Sequence, residues 1–214
     1  MRIHEIYESV QGESTLAGTP CTFIRLAGCP LNCNYCDTPQ AIPLDSGSPL
    51  TISEIMERVQ KLAHRLVLVT GGEPLAQRSV ISLLQSLIDA GYQTQLETAG
   101  AHDIASVPDE VSIIMDIKTP GSGEAERNRW SNIKHLQDND EVKMVINNQD
   151  DYLWAKSIII EKGLEALHIP ILFSPSWHHL DAATLVKWIL DDHLPVRLQV
   201  QQHKYIWSAE KTGV

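Results

Sequence analysis

Long apolar runs are missing from this sequence. No stretch of about 18 consecutive apolar residues occurs, so no transmembrane helix is expected. The opening residues Met1, Arg2, Ile3, His4 and Glu5 lack the charged start, apolar block and cleavage site of a secretory signal, which makes the cytoplasm the expected location. Basic charge is scarce: 17 Lys and Arg stand against 27 Asp and Glu, a formal net charge of −10. With no basic stripe to follow a nucleic-acid backbone, the expected partner is a small molecule, with neither nucleic acid nor membrane involved. A local positive pocket can still hold an anion. Low-complexity segments, long linkers and internal repeats are absent too, which leaves one domain over residues 1–214. Cysteine is sparse, with four in the chain, but three of them fall within eight residues. A disulfide framework would be denser and more dispersed, so the clustering points to metal.

The coarse pattern alternates short apolar runs with amphipathic stretches. Residues 22–27, 66–70, 93–97, 111–116, 141–146, 166–172 and 196–201 read as strands. Thr51 is placed to cap a helix whose apolar residues Ile52, Ile55, Val59, Leu62 and Ala63 recur at helical spacing. Further helices are expected over about 78–90, 151–162 and 181–191. Such alternation argues for an α/β fold with a mainly parallel sheet, either doubly wound or an incomplete TIM-like barrel. The Cys loop, residues 71–74, 98–100, 118–123, 174–177 and 202–204 each follow an expected strand. In parallel α/β folds ligands gather at the carboxyl ends of strands, so these six segments mark one candidate rim.

Cys29-Pro30-Leu31-Asn32-Cys33-Asn34-Tyr35-Cys36 has the spacing C-x3-C-x2-C. Three thiolates from one loop can hold three irons of a cubane cluster and leave the fourth open to a substrate or cofactor. Structural zinc competes, but it normally wants four protein ligands, and Cys21 lies eight residues before Cys29 at the start of a strand. Cys21 reads better as a small buried residue. Electron transfer of the ferredoxin kind would need a fourth ligating cysteine. Gly71-Gly72-Glu73-Pro74 ends the next strand, where paired glycines let the backbone approach a ligand closely; a plain strand-to-helix turn is the alternative.

The Cys spacing, with aromatic Tyr35 before the last Cys, resembles the radical S-adenosylmethionine superfamily. Gln11-Gly12-Glu13, residues 22–28, Cys36-Asp37-Thr38, residues 116–123, Phe173-Ser174-Pro175 and residues 201–204 narrow this to a resemblance to the 7-carboxy-7-deazaguanine synthase family, from about Tyr7 to the C-terminus. The resemblance implies a barrel of the radical SAM type with a 4Fe-4S cluster on Cys29, Cys33 and Cys36. It implies that S-adenosylmethionine chelates the open iron and yields a 5′-deoxyadenosyl radical. The family converts 6-carboxy-5,6,7,8-tetrahydropterin to 7-carboxy-7-deazaguanine with loss of ammonia, on the route to queuosine. Mg2+, an external reductant such as flavodoxin or ferredoxin, and a homodimer are further expectations of that kinship.

Residue roles follow from the same resemblance. Arg25, in an otherwise apolar strand, is placed to fork a substrate carboxylate, with an internal ion pair as the alternative. Thr38 is expected to ligate magnesium, though a lone Thr is ordinarily a turn residue. Val10, Gln11 and Gly12 are expected on the pterin, and Ser14 departs from the family's Gln-Gly-Glu-Gly pattern. Thr70 is placed to reach the substrate or simply to end its strand. Gly71, Gly72 and Glu73 are expected at the methionyl amino group. Glu97, Thr98, Asp116, Lys118 and Ser174 are expected around the cofactor, with an ion pair of Lys118 to Glu97 or Asp116 as the competing reading. The carboxylate of Val214 is expected to reach the substrate if the chain ends there. A glycyl-radical activase would share the Cys loop and the glycines but lack the Gln11-Gly12-Glu13 segment and Thr38. A zinc-stabilised binding module is the non-enzymatic alternative.

Overall fold

The computed structural model describes residues 1–208 and 211–213. Nine strands form one sheet: β1 (Arg2–Val10), β2 (Pro20–Leu26), β3 (Ser48–Pro49), β4 (Leu66–Gly71), β5 (Gln93–Thr98), β6 (Ser112–Asp116), β7 (Glu141–Ile146), β8 (Ile171–Pro175) and β9 (Arg197–Leu198). Their spatial order is β3-β1-β2-β4-β5-β6-β7-β8-β9. β1 is antiparallel to β2 and β3, and every pairing from β2 to β9 is parallel. The two end strands do not pair with each other among the described residues, so the barrel is incomplete, as the sequence led us to expect.

Helices α1 (Ile52–Leu62), α2 (Val80–Asp89), α3 (Gln149–Glu161) and α4 (Ala182–Asp191) are crossover elements, and α5 (Gln202–Ile206) follows the last strand. Thr51 caps α1 as expected: its hydroxyl accepts from the Glu54 amide while the Glu54 carboxylate accepts from the Thr51 amide, a reciprocal capping box. Ile55 and Val59, one turn apart, are fully buried against the sheet. Each contributes roughly 1.5–3 kcal/mol of apolar burial.

Side-chain alternation sorts the strands into two faces. Ile24 and Leu26 of β2, Val67 and Val69 of β4, Leu96 of β5, and Val142, Met144 and Ile146 of β7 point to the helices and build the main core. The opposite face closes on itself in a smaller cluster of Cys21, Phe23, Leu66, Leu68 and Ile114. Followed toward the carboxyl ends, that inner face turns polar: Arg25, Thr70 and Asp116 succeed apolar residues, and Glu97 and Lys143 follow Gln95 and Glu141. A polar mouth above an apolar floor is what positions the site.

Three expectations are corrected. The strand foreseen at 166–172 is a 3-10 turn over Leu164–Leu167, and β8 starts only at Ile171. Gly163 (φ 66°) and His168 (φ 55°) bracket that turn in left-handed conformations, which no strand tolerates, and Pro170 has no N–H for the ladder. The strand foreseen at 196–201 keeps only two paired residues, because Gln201 already caps α5. β1 was not foreseen. It pairs over most of its length with β2 alone, so it reads as a mixed polar edge without clean alternation.

Candidate active site

A cavity of about 520 Å³ opens at the carboxyl ends of the parallel strands. Cys29, Cys33, Cys36, Gly71, Gly72, Thr98, Ala99, Lys118, Ser176, Trp177, His203 and Lys204 all line it, so the six segments converge as expected. The Cys loop is pinned from two sides. Gly28 and Cys29 donate to Ala41 O and Ile42 O at 2.8 and 3.0 Å, and Asn34 donates to Ser122 O at 2.9 Å. All three thiols are unpaired, and burial raises each pKa, that of Cys33 to about 11. Cys21 is fully buried, with its thiol pushed up to about 12. It sits beside Leu66 at the start of β2, whereas the loop leaves the end beside Gly71. A zinc site on four thiolates therefore lacks its fourth ligand.

The glycines meet a steric demand. Gly71 holds φ 152°, and an added Cβ there would fall on the Leu26 backbone. A Cβ on Gly72 would strike Gly28 O and come within 2.8 Å of Cys29 Cβ. The pair thus lies flush against the Cys loop. Glu73 is fully buried beneath them and does not line the cavity. Its carboxylate accepts from Leu75 N (2.9 Å), Thr98 Oγ1 (2.8 Å) and Ala99 N (2.7 Å), tying the turn after β4 to the end of β5. It braces the glycines from below.

Arg25 forms the internal ion pair of the alternative reading and also faces the cavity. Nε donates to Glu5 Oε1 at 2.8 Å and Nη2 to Tyr7 Oη at 2.9 Å, while the side chain lines the cavity. Thr38 lines it too, and its hydroxyl donates to Asp37 Oδ1 at 3.0 Å. Val10, Gln11, Gly12, Thr70, Glu97 and Asp116 join the wall. Gln11 is buried and donates to Gln95 Oε1 at 2.6 Å. Ser14, in place of the pattern's glycine, takes φ 65°, and its hydroxyl accepts from Leu16 N and Gln95 Nε2. The left-handed backbone survives without glycine because those two bonds hold it.

The expected ion pair of Lys118 forms with Asp116 at 3.0 Å; Glu97 pairs elsewhere. Its partner is Lys143, a residue the sequence reading missed. Lys143 Nζ lies 2.6 Å from Glu13, 2.5 Å from Glu97 and 3.5 Å from Asp116. Burial opposes its charge, but the three carboxylates outweigh that and raise its pKa well above the usual lysine range. A lysine amid the apolar run of β7 was the available signal. Ser174 is buried and does not line the cavity, where Ser176 and Trp177 stand instead. Val214 lies outside the described residues, although Lys211, Thr212 and Gly213 line the cavity.

The donor set suits a cluster and a polar organic cofactor. Three soft thiols share one rim, and Tyr35 Oη, Asp116 Oδ1 and Trp177 Nε1 are buried without a hydrogen-bond partner among the described residues. Buried polar atoms of this kind call for a polar ligand.

Comparison with known proteins agrees. The family model described as Radical SAM superfamily matches residues 23–119. The 7-carboxy-7-deazaguanine synthase of Chlorobaculum tepidum is 43% identical over 100% of this chain and 97% of its own length. That of Koribacter versatilis is 40% identical over 100% of both chains. The crystal structure of QueE from Escherichia coli superimposes with a TM-score of 0.73 at 23% identity, covering 94% of each chain. Streptococcus suis SuiB bound to S-adenosylmethionine shares the fold at TM-score 0.55 and 12% identity, over 83% of this chain and 48% of that one. Full-length identity of this degree, on a fold whose cavity gathers the Cys loop and the glycine pair, means that the chain belongs to the 7-carboxy-7-deazaguanine synthase family of radical SAM enzymes.

Proposed function

We propose that this chain converts 6-carboxy-5,6,7,8-tetrahydropterin to 7-carboxy-7-deazaguanine with loss of ammonia. The observation that carries the reading is a single cavity that holds the three free thiols together with Arg25, Thr38 and the Gln11–Gly12 backbone. Cys29, Cys33 and Cys36 would hold the 4Fe-4S cluster, which with S-adenosylmethionine supplies hydrogen-atom abstraction when bound. Gly71 and Gly72, without side chains, let the methionyl end approach their backbone closely, while the Gly72 amide itself is held by Leu26 O at 3.0 Å. Asp116, Lys118, Glu97 and Thr98 offer charge and hydrogen bonds to the rest of the cofactor.

Arg25 is aimed by Glu5 and Tyr7, so its guanidinium meets a substrate carboxylate already oriented. Gln11, Gly12 and Val10 face the pterin, and Thr70 stands at the same wall. Thr38 suits Mg2+: its proton goes to Asp37, which leaves hydroxyl lone pairs for a hard cation. A thiol-ligated cluster needs a reducing compartment and an external electron donor, which favours the cytoplasm and a flavodoxin or ferredoxin as reductant. Exposed Leu198, Tyr205 and Ile206, on the sheet edge and α5, favour a second copy of the chain as a homodimer partner.

The test is anaerobic reconstitution with iron and sulfide, followed by incubation with the tetrahydropterin, S-adenosylmethionine, Mg2+ and a reductant. Mass spectrometry should find many product molecules per cofactor, and none with Cys33→Ala. Cofactor cleavage without that product would overturn the substrate assignment.

A further inference from the structure

Lys143 sits at the crossing point of the site, and its environment tells what it does. It projects from β7 on the inner face, two residues after Glu141 on the same side. Its side chain is 6% exposed. The ammonium meets carboxylates from three separate places: Glu13 between β1 and β2, Glu97 on β5 and Asp116 on β6. Two of its protons are committed to Glu13 and Glu97, and the remaining direction faces Asp116. With two hydrogen bonds and a third carboxylate 3.5 Å away, the ammonium is engaged first by the protein itself. Its action is on the groups it holds.

Those groups form a chain through the mouth. Glu13 Oε1 accepts from Gln201 Nε2 at 2.7 Å, and the same amide reaches Asp37 Oδ2 at 2.9 Å. The Glu13 amide donates to Gln11 Oε1 at 3.2 Å. Gln95 and Glu141 hold the same segment: Gln95 takes Gln11, and Glu141 accepts from the amide and hydroxyl of Thr15. Residues 11–15 contain no regular structure; backbone bonds tie Gln11 to Thr19 and Gly18 and Gly12 to Gln202, and three inward side chains of β5 and β7 hold the segment against the sheet. Lys143 supplies the only cation among those three.

We propose that Lys143 is a positioning residue that sets the pterin-binding wall by fixing Glu13, and with it the Gln11–Gly12 backbone, against Glu97. The proposal rests on the substrate reading given above. A methionine of similar length leaves Glu13 and Glu97 as facing carboxylates without their shared cation, and like charges at this range repel. Residues 11–15 then move away from β5, and the wall opens. Arginine keeps the charge but not the compact three-way geometry, so it restores function in part.

The experiment compares wild type, Lys143→Met, Lys143→Arg and Glu13→Gln, all reconstituted with their cluster. Four quantities are read: equilibrium binding of 6-carboxypterin by its fluorescence, S-adenosylmethionine affinity, KM and kcat for the tetrahydropterin, and amide exchange in residues 11–15. Lys143→Met should weaken pterin binding and raise KM about tenfold or more, the effect of one misplaced charge-assisted hydrogen bond. Cluster content should stay within about twofold, and cofactor affinity, because Glu97 and Asp116 also face Lys143, should fall by clearly less than pterin affinity. Exchange should accelerate in residues 11–15 and not in β4. Lys143→Arg should recover part of the loss. If Lys143→Met does not fold, Glu13→Gln carries the test, with the same selective rise in KM and in exchange. Unchanged KM and exchange in the folded variants, or a parallel loss of cofactor affinity, would overturn the proposal. A wild type that binds no pterin would overturn the substrate reading instead, a result visible before any variant is made.

Discussion

Replacing Glu73 tests whether the glycine pair is braced from below. Two backbone amides, of Leu75 and Ala99, and the Thr98 hydroxyl end on this one buried carboxylate. Glu73→Ala leaves both half-buried amides without their acceptor, and an orphaned buried donor costs about 1–3 kcal/mol. The Thr98 hydroxyl can turn, and its oxygen already accepts from Gly100 N at 3.3 Å, so its loss adds little. Against this stands relief from burying the charge, since burial raises the Glu73 pKa despite the three donors. The net loss is about 3 kcal/mol, which for a chain of this size lowers Tm by roughly 6–12 °C. Glu73→Gln keeps an oxygen for Leu75 and Thr98 but turns an NH2 toward the Ala99 amide. One bond becomes a donor–donor contact, and the loss is about 1–2 kcal/mol.

Thermal unfolding of the cluster-free chain by circular dichroism gives the order wild type, then Gln, then Ala. The pH dependence has a definite sign. A carboxyl whose folded pKa is raised adds stability that is full below its unfolded value and disappears as pH rises through the folded one. The advantage of wild type over Glu73→Gln should therefore shrink as pH rises from about 4.5, the ordinary glutamate value, toward neutrality. An alanine variant that melts within about 2 °C of wild type would mean that the two amides find other partners, and the bracing argument would fall.

Thiol chemistry offers a second check. In the cluster-free chain at pH 8, a thiol reagent should titrate the three loop cysteines, and Cys21, buried with a pKa near 12, only after unfolding; four rapid equivalents would contradict its burial. Gly72→Ala should lower cluster loading with the far-ultraviolet spectrum unchanged, because the new Cβ pushes on Gly28 and Cys29. The overpacking cost is roughly 1–3 kcal/mol, and full iron content in that variant would refute the close approach.

How much of this was legible in the sequence depended on whether the signal was local. The Cys spacing, the Thr51 cap and the periodicity of α1 are carried by residues within a few positions of one another, and all three stand in the structure. The rim was legible for a similar reason: each segment follows its own strand, and parallel topology brings strand ends together whatever their order. β1 was hidden because an edge strand with polar residues on both faces has no period to read. The turn over Leu164–Leu167 was hidden because a left-handed histidine carries no mark in composition.

The polar interior was out of reach for a deeper reason. Glu97 and Asp116 were expected at the rim, but only the sheet order makes them, with Glu13, neighbours of Lys143. Alternation within β7 does place Lys143 opposite Val142 and Met144, hence inside the barrel. An ammonium cannot stay there unpaired, so at least one carboxylate on an adjacent strand or loop is required. Applied strand by strand, the same reasoning separates Gln95 and Glu97 from Leu96. An inward charge read from alternation alone therefore announces a partnered interior cluster. The identity of the partners waits on which strands lie next to one another.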